Sequence, residues 1–334
     1  MNESTQLFNA KMSCEKFSDE DAPFYTDRNS GKLKKELAQH RNCLLCSSSL
    51  QDLYLEKEGF SFVKCRDCNL VFVNPILNEE DTISLYEDGK TINNEIDVLF
   101  KEMNERVKSF DIAFKEIEKY INIGRMCDIG CGAGAALQAA KKRGWIVEGV
   151  EPCKKARKLI SENFGITVKN ELLHEDTFAD GELDLVTVFQ VIEHLVNPTK
   201  FLSRVYKILK PGGVLYLDCP NIDSLSCKLF RKNHVHFSGR VHLNYFTPQT
   251  ITKMLESTGY KIIYSKTRVL DITISDLFRA ILNLHPVHRE GSNKVPRVFH
   301  KAFNMFDYIL KPQLEKLIIK GKIKGSYLTV MAKK

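Results

Sequence analysis

Two pairs of cysteines carry the plainest chemistry in the chain: Cys43-Leu-Leu-Cys46 and, after eighteen residues, Cys65-Arg-Asp-Cys68. Two Cys-x2-Cys knuckles at this separation can present four thiolates to one tetrahedral Zn²⁺. Four thiolates leave no open position, so the expected zinc is structural; a catalytic zinc keeps a place for water or substrate. A segment this short cannot build a self-sufficient core, and the metal is expected to supply its folding energy. The remaining cysteines, Cys14, Cys127, Cys131, Cys153, Cys219 and Cys227, lack such spacing and read as small core or loop residues.

A second constellation spans Cys127 to Pro152, CDIGCGAGAALQAAKKRGWIVEGVEP. Gly130, Gly132 and Gly134 stand at a strand-to-helix turn, where glycine lets the backbone pass tightly and brings a ligand against main-chain N–H groups at a helix N-terminus. With Ala135 the loop also satisfies the Gly-x-Gly-x-x-Gly/Ala dinucleotide fingerprint, and Glu151, about twenty residues on, stands where a ribose ligand would. Asp128 decides between the readings. Two residues before the first glycine, a carboxylate would repel a pyrophosphate but suits a cationic amino group, which points to S-adenosylmethionine rather than a nicotinamide cofactor.

The elements that must position these residues follow from texture and periodicity. Residues 1–41 are polar and aperiodic, a flexible leader. Residues 42–78 form the expected four-cysteine module, and 79–125 the linking helices, with one long amphipathic helix from about 93. From 126 to 334, short apolar strands alternate with helices, the pattern of a doubly wound parallel α/β sheet. Strands are expected at Met126–Ile129, Ile146–Val150, Thr167–Val168, Leu185–Phe189, Gly213–Cys219, Lys261–Val269 and Ser326–Ala332. A helix with a Thr cap and a Gly stop, TPQTITKMLESTGY, precedes the sixth. Between the last two strands lies a helical insertion, about 271–322, read as an amphipathic cover or dimer mate, or as a membrane-surface or acceptor lid.

Composition excludes several classes. With 43% apolar and 10% aromatic residues, 334 residues bury a sizeable core, and no apolar run approaches the ~18–20 residues that span a bilayer. The polar start lacks the apolar stretch of a secretory signal, so the expected location is the cytoplasm, where cysteines remain thiols or metal ligands. A net charge of +7 is mild and shows no dense basic stripe, so nucleic acid is a disfavoured partner.

The motifs together resemble the class I S-adenosylmethionine-dependent methyltransferases over roughly 110–334. CDIGCGAG is similar to their first motif, VEGVEP to the second strand with its terminal acid, LDLVTVFQVIEHLVNP to the fourth, LKPGGVLYLDCPN to the fifth, and HLNYFTPQTITKMLESTGY to the approach to the sixth. The resemblance implies a seven-stranded sheet with an antiparallel last strand. It implies that Asp128 and the Gly130, Gly132 and Gly134 loop hold the methionine part, that Glu151 takes the ribose hydroxyls, and that Phe189 and Gln190 border the cofactor. The adenine contact falls in the window Leu172 to Glu175 without a single candidate.

The knuckles followed by LVFVNPILNEEDTISLY narrow the resemblance to bacterial methyltransferases of sugar and polysaccharide pathways. Zinc-bearing deoxysugar C-methyltransferases among them carry one His after the fourth strand and another in a Tyr-x-Glu-His-Leu motif. The corresponding residues are His194 and His242, which the layout implies converge on the acceptor, His242 as general base and His194 positioning the acceptor or sharing the proton. The chain departs from that motif at Arg240 and Val241, so O- and C-methylation of a sugar or glycan-linked acceptor both fit. Two further readings are an RNA base methyltransferase, whose Asn/Asp-Pro-Pro-Tyr motif is absent at FQVI, and a catalytically silent cofactor-binding or interaction protein, against which the intact Asp128, Gly132 and Glu151 set stands. The expected assembly is a monomer or homodimer. His234, His236, His285, His288 and His300 read as solvated or locally bonded residues, with His234 and His236 in a loop expected to line the acceptor site.

Overall fold

The alternation of apolar runs and amphipathic segments from residue 125 onward resolves into one layered sheet. The computed structural model describes residues 25–27, 29–78, 81–82, 90–170, 173, 176–268, 316–318, 321 and 323–334. In chain order the strands are β1 (Ala38–Gln39), β2 (Gln51–Lys57), β3 (Phe60–Cys65), β4 (Val71–Val73), β5 (Ile76–Leu77), β6 (Arg125–Ile129), β7 (Ile146–Val150), β8 (Val168–Lys169), β9 (Leu183–Phe189), β10 (Leu209–Pro220), β11 (Asn244–Tyr245), β12 (Lys261–Arg268) and β13 (Tyr327–Lys333). The helices are α1 (Lys90–Lys101), α2 (Met103–Ile117), α3 (Ala135–Lys142), α4 (Lys154–Phe164), α5 (Pro198–Ile208), α6 (Leu225–Phe230) and α7 (Pro248–Ser257).

Seven strands form the main sheet in the order β12-β13-β10-β9-β6-β7-β8. β8, β7, β6, β9 and β10 pair in parallel, and β13 runs antiparallel between β10 and β12. This is the expected seven-stranded topology, with each expected strand present, β7 at its expected bounds and the others with ends moved by a few residues. The strand order reverses between β6 and β9, so the crevice beyond their carboxyl ends is where an open α/β sheet binds its ligand. Caps fix the helices beside it. The Asn197 side chain accepts from the Lys200 N–H ahead of Pro198 in α5, and Thr247 and Thr250 form a capping box at α7.

Three features differ from the sequence reading, the first being that the end of the expected leader is structured, with β1 paired antiparallel to β5 and Leu33 buried. The linking helix expected from about 93 is two helices, α1 and α2, broken at Glu102, where φ −90° and ψ 9° interrupt the helical path. The cysteine module is not closed within 42–78: its four-stranded sheet has the order β11-β4-β3-β2, and β11 comes from far downstream. The core is continuous with it. Cys43, Cys65, Cys68 and Phe72 pack in one buried cluster with Leu202 and Val205 of α5 and Ile251 and Met254 of α7. The helical insertion expected at about 271–322 lies outside the described residues apart from a helical turn at 316–318. No helix among the described residues is long and apolar enough to cross a membrane.

This shared core makes a prediction about the expected zinc. Cys43→Ser should remove one equivalent of zinc and raise amide hydrogen exchange both in residues 43–73 and in 236–245, whose strand β11 pairs with β4. Protection in β6, β9 and β10 should persist. Freshly purified protein without zinc, or exchange changes confined to 43–73, would contradict this.

Candidate active site and metal centre

At the carboxyl end of β6 the chain turns through Gly130, Gly132 and Gly134, with φ of 72°, 51° and 86°. The left-handed region disfavours any residue with a Cβ. Space forbids one as well. A Cβ at Gly130 would lie 2.5 Å from Val191 Cγ2, and one at Gly134 would lie 2.8 Å from Ile160 Cγ1 of α4. The loop thus follows the path the motif predicts and ends as the N-terminus of α3.

Both carboxylates expected to hold the cofactor are buried there. Asp128 accepts from Thr187 Oγ1 at 2.7 Å. Desolvation pushes its pKa up to about 7 despite that hydrogen bond. Glu151 ends β7 and ties the loop in place: Oε2 accepts from the Gly132 N–H at 2.8 Å and Oε1 from the Cys153 N–H at 2.9 Å. Burial raises its pKa too, against those two amide bonds. A buried carboxylate destabilised by desolvation gains a counter-ion from an ammonium group, so Asp128 fits the methionine end of S-adenosylmethionine; Glu151 retains acceptor lone pairs for ribose hydroxyls.

At the end of β9, Phe189 sits with its ring 4.7 Å from that of Phe110 and 5.1 Å from that of Tyr216, so its side chain serves the helix–sheet layer. Gln190 adopts φ 55°. Its N–H donates to the Asp218 carbonyl at 2.8 Å, and its Nε2 donates to Asp218 Oδ1 at 2.7 Å. The other oxygen of Asp218 accepts from Thr329 Oγ1 and pairs with the Arg268 guanidinium. This network went unread in the sequence. Its signal was there as an acid inside the apolar run LYLDCP.

The two histidines implied by the resemblance come together. His194 ends a short 3₁₀ turn, Ile192–His194, and its ring centroid lies 4.8 Å from that of His242 in an edge-to-face arrangement. His194 Nδ1 meets the Val241 carbonyl at 3.0 Å, and His242 Nδ1 meets the His236 carbonyl at 2.8 Å. A carbonyl only accepts, so Nδ1 is the donor at His242 and its neutral ring keeps the lone pair on Nε2, while His194 faces the carbonyls of both Val241 and Gln190. Burial holds both rings neutral, His194 pulled down to about 4 and His242 displaced in the same direction. Beside His194 stands Glu193, which the sequence offered only as a neighbour for that ring to orient. Its carboxyl is buried with neither oxygen hydrogen-bonded, and desolvation pushes its pKa up to about 8. His234 and His236, read as solvated or locally bonded, are buried, and the His236 N–H donates to His234 Nδ1.

The four cysteines converge as their spacing predicts. Cys43 Sγ lies 3.4 Å from Cys68 Sγ, and Cys46 Sγ 3.5 Å from Cys65 Sγ. All four sulfurs fall within 4.8 Å of one another. Each knuckle closes on a left-handed residue, Ser47 at φ 60° and Asn69 at φ 65°. Four gathered thiols, three of them buried, suit a tetrahedral thiolate-bound ion such as zinc.

A seven-stranded sheet with its sixth and seventh strands reversed in order, a glycine turn after the first and a buried acid ending the second define the fold of class I S-adenosylmethionine-dependent methyltransferases. The chain belongs to the methyltransferase domain family, which it matches over residues 94–265, just over half its length. It is similar to the ubiquinone biosynthesis O-methyltransferase of Thiobacillus denitrificans, 29% identical over 108 residues that cover 30% of this chain and 47% of that protein. To the enzyme of the same name from Burkholderia vietnamiensis it is 32% identical over 103 residues, 29% of this chain and 44% of the other. The chain thus spans less than half the length of these curated relatives. Among solved structures it is similar to a methyltransferase of Thermotoga maritima described as a possible histamine N-methyltransferase, with 18% identity, a TM-score of 0.48, and coverage of 73% of this chain and 97% of that one.

The charge burial at Asp128 yields a pH-dependent prediction. A carboxyl whose pKa rises from 3.8 to about 7 on folding makes the ligand-free protein less stable as pH climbs through that interval, by up to ~1.4 kcal/mol per pH unit. Asp128→Asn should therefore raise the melting temperature of the ligand-free protein at pH 8 and leave it nearly unchanged at pH 4. The same variant should bind S-adenosylmethionine about ten- to hundredfold more weakly, the loss of a charge-assisted contact of ~1.5–3 kcal/mol. Melting scans and calorimetry at the two pH values check both halves; a variant less stable at pH 8 would overturn the first.

Proposed function

We propose that the chain transfers the methyl group of S-adenosylmethionine to a hydroxyl oxygen of a small polyhydroxylated acceptor of sugar or glycan type. Asp128, the loop of Gly130, Gly132 and Gly134, Glu151 and Gln190 would hold the cofactor, which supplies an electrophilic methyl carbon on a sulfonium. The observation that carries the reading is the pairing of His194 and His242, two neutral imidazoles 4.8 Å apart with Nδ1 committed to backbone carbonyls, beyond the carboxyl end of β9. A neutral hydroxyl must lose its proton as its oxygen gains carbon, and a neutral imidazole nitrogen is suited to receive it. His242 Nε2 takes that proton, and His194 orients the hydroxyl. Glu193, buried beside His194 Nε2 at 3.8 Å, supplies a second polar group to the acceptor side.

The names of the curated relatives support oxygen as the atom methylated. The sugar class is supported by the polar cluster of Glu193, His194 and His242, which suits an acceptor with several hydroxyls, and by the resemblance of the four-cysteine module to that of sugar-pathway enzymes. Those relatives' names also favour a second reading, a phenolic hydroxyl.

His242→Ala is expected to lower turnover by about 10²–10⁴ while leaving the affinity for S-adenosylmethionine nearly unchanged. Labelled methyl transfer to parallel panels of activated sugars, glycan extracts and dihydroxyphenols finds the acceptor and then reads the variant. Transfer only to the phenols would replace the sugar class, and full turnover by His242→Ala would remove His242 from its role.

A further inference from the structure

Beyond the methyl-transfer site, three side chains with metal-binding atoms meet in the loop that follows β10. Cys227 on α6, His234 and His236 are all buried, at 4%, 3% and 5% exposure. Their ligating atoms lie within 4.8 Å of one another. Spacing alone gives no sign of this, since Cys227 lacks a second cysteine near it and the two histidines sit seven and nine residues later. The turn that brings them together is built by Arg231, which ends α6 at φ 46°, ψ −125° and folds the chain back on the helix. Lys57 Nζ of β2 then donates to the His234 carbonyl at 3.3 Å and also to the Phe237 carbonyl, holding the loop backbone.

The rings are placed by contacts from several sides. His234 and His236 centroids are 4.6 Å apart, and the His236 ring lies 5.5 Å from that of Tyr327 in β13. The His236 N–H reaches His234 Nδ1 at 3.2 Å, which marks Nδ1 as the lone-pair nitrogen of that ring; a contact of this length is one an ion can displace. Apolar packing explains a single buried thiol without a ligand, but a thiol and two imidazoles whose ligating atoms lie within 4.8 Å of one another form a donor set of the kind that holds zinc.

We propose that Cys227, His234 and His236 form a second metal site, distinct from the four-cysteine centre, that takes a divalent ion of the zinc class. One sulfur and two imidazole nitrogens are donors of the softness that selects zinc over magnesium or calcium. Binding releases the Cys227 thiol proton to solvent and forms a sulfur–metal bond, with no change of oxidation state. Three protein ligands leave a fourth position open, as in exchangeable rather than closed zinc sites. An ion here would staple α6 to the loop 231–242, and the His236 carbonyl that fixes His242 Nδ1 lies in that loop.

The experiment compares metal content in the full-length protein, saturated with Zn²⁺ and then desalted, with that of Cys227→Ser and His236→Ala. The parent is expected to hold one further equivalent relative to each variant. Because the measurement is a difference, it stands whether or not the four-cysteine centre is filled. Titration of the metal-free parent with Co²⁺ guards against variants that misfold: a second binding phase should appear with a sulfur-to-cobalt band of single-thiolate intensity. Equal metal content in parent and folded variants, or a Co²⁺ titration of the parent that ends with the four-thiolate phase, overturns the site.

Discussion

The partly buried guanidinium of Arg41 holds together three stretches of chain that are remote in sequence, and the segments bearing His194 and His242 rest on it. It donates to the carbonyls of Val73 at 3.2 Å, Val196 at 3.0 Å and Leu243 at 2.7 Å. Val73 closes β4, Val196 leads into α5, and Leu243 precedes β11. The same group lies 5.3 Å from the centroid of the Phe72 ring. Desolvation pulls its pKa down to about 10, which leaves it charged at neutral pH. A planar fork of five donors suits this task because one group satisfies several carbonyls at once.

What Arg41 joins, the four-cysteine module and the acceptor loop then share. The Leu243 N–H donates to the Glu193 carbonyl at 2.7 Å, so the turn bearing His194 and the segment bearing His242 are linked directly. The loop also lies against β3 closely: a Cβ at Gly239 would stand 2.4 Å from Phe60 Cβ. A cysteine-bearing hairpin near the start of the chain therefore shapes the backbone around both imidazoles. The module acts on the segments bearing His194 and His242 as a scaffold, through packing and main-chain contacts.

The cofactor side follows a different logic, in which stability is given up for charge. Asp128 and Glu151 are buried carboxylates whose pKa values rise because water is excluded, so each is destabilising when ionised in the ligand-free chain. Burial of this kind at a binding cleft marks groups arranged for a ligand. Gln190, held in the left-handed region by two bonds to Asp218, shows the same trade of local strain for a set position.

Much of this was legible in the amino-acid order because its causes are local. Alternating apolar runs placed the seven strands, since burial on both faces of a parallel sheet demands them. Positive φ at Gly130, Gly132 and Gly134 was implied by glycine at those positions, and the gathering of Cys43, Cys46, Cys65 and Cys68 by their spacing. The meeting of His194 and His242 was anticipated through resemblance alone. Other features had no local signature: the break at Glu102, the recruitment of β11 by β4, the buried carboxyl of Glu193 without a hydrogen bond, the Asp218–Arg268 pair beneath Gln190, and the convergence of Cys227 with His234 and His236. Sequence by itself determined which segments bury their side chains and where the backbone can turn, because those depend on periodicity and residue type. Which polar groups face one another across elements was decided by the tertiary structure alone, because desolvation and hydrogen bonding act between residues that only packing brings within reach.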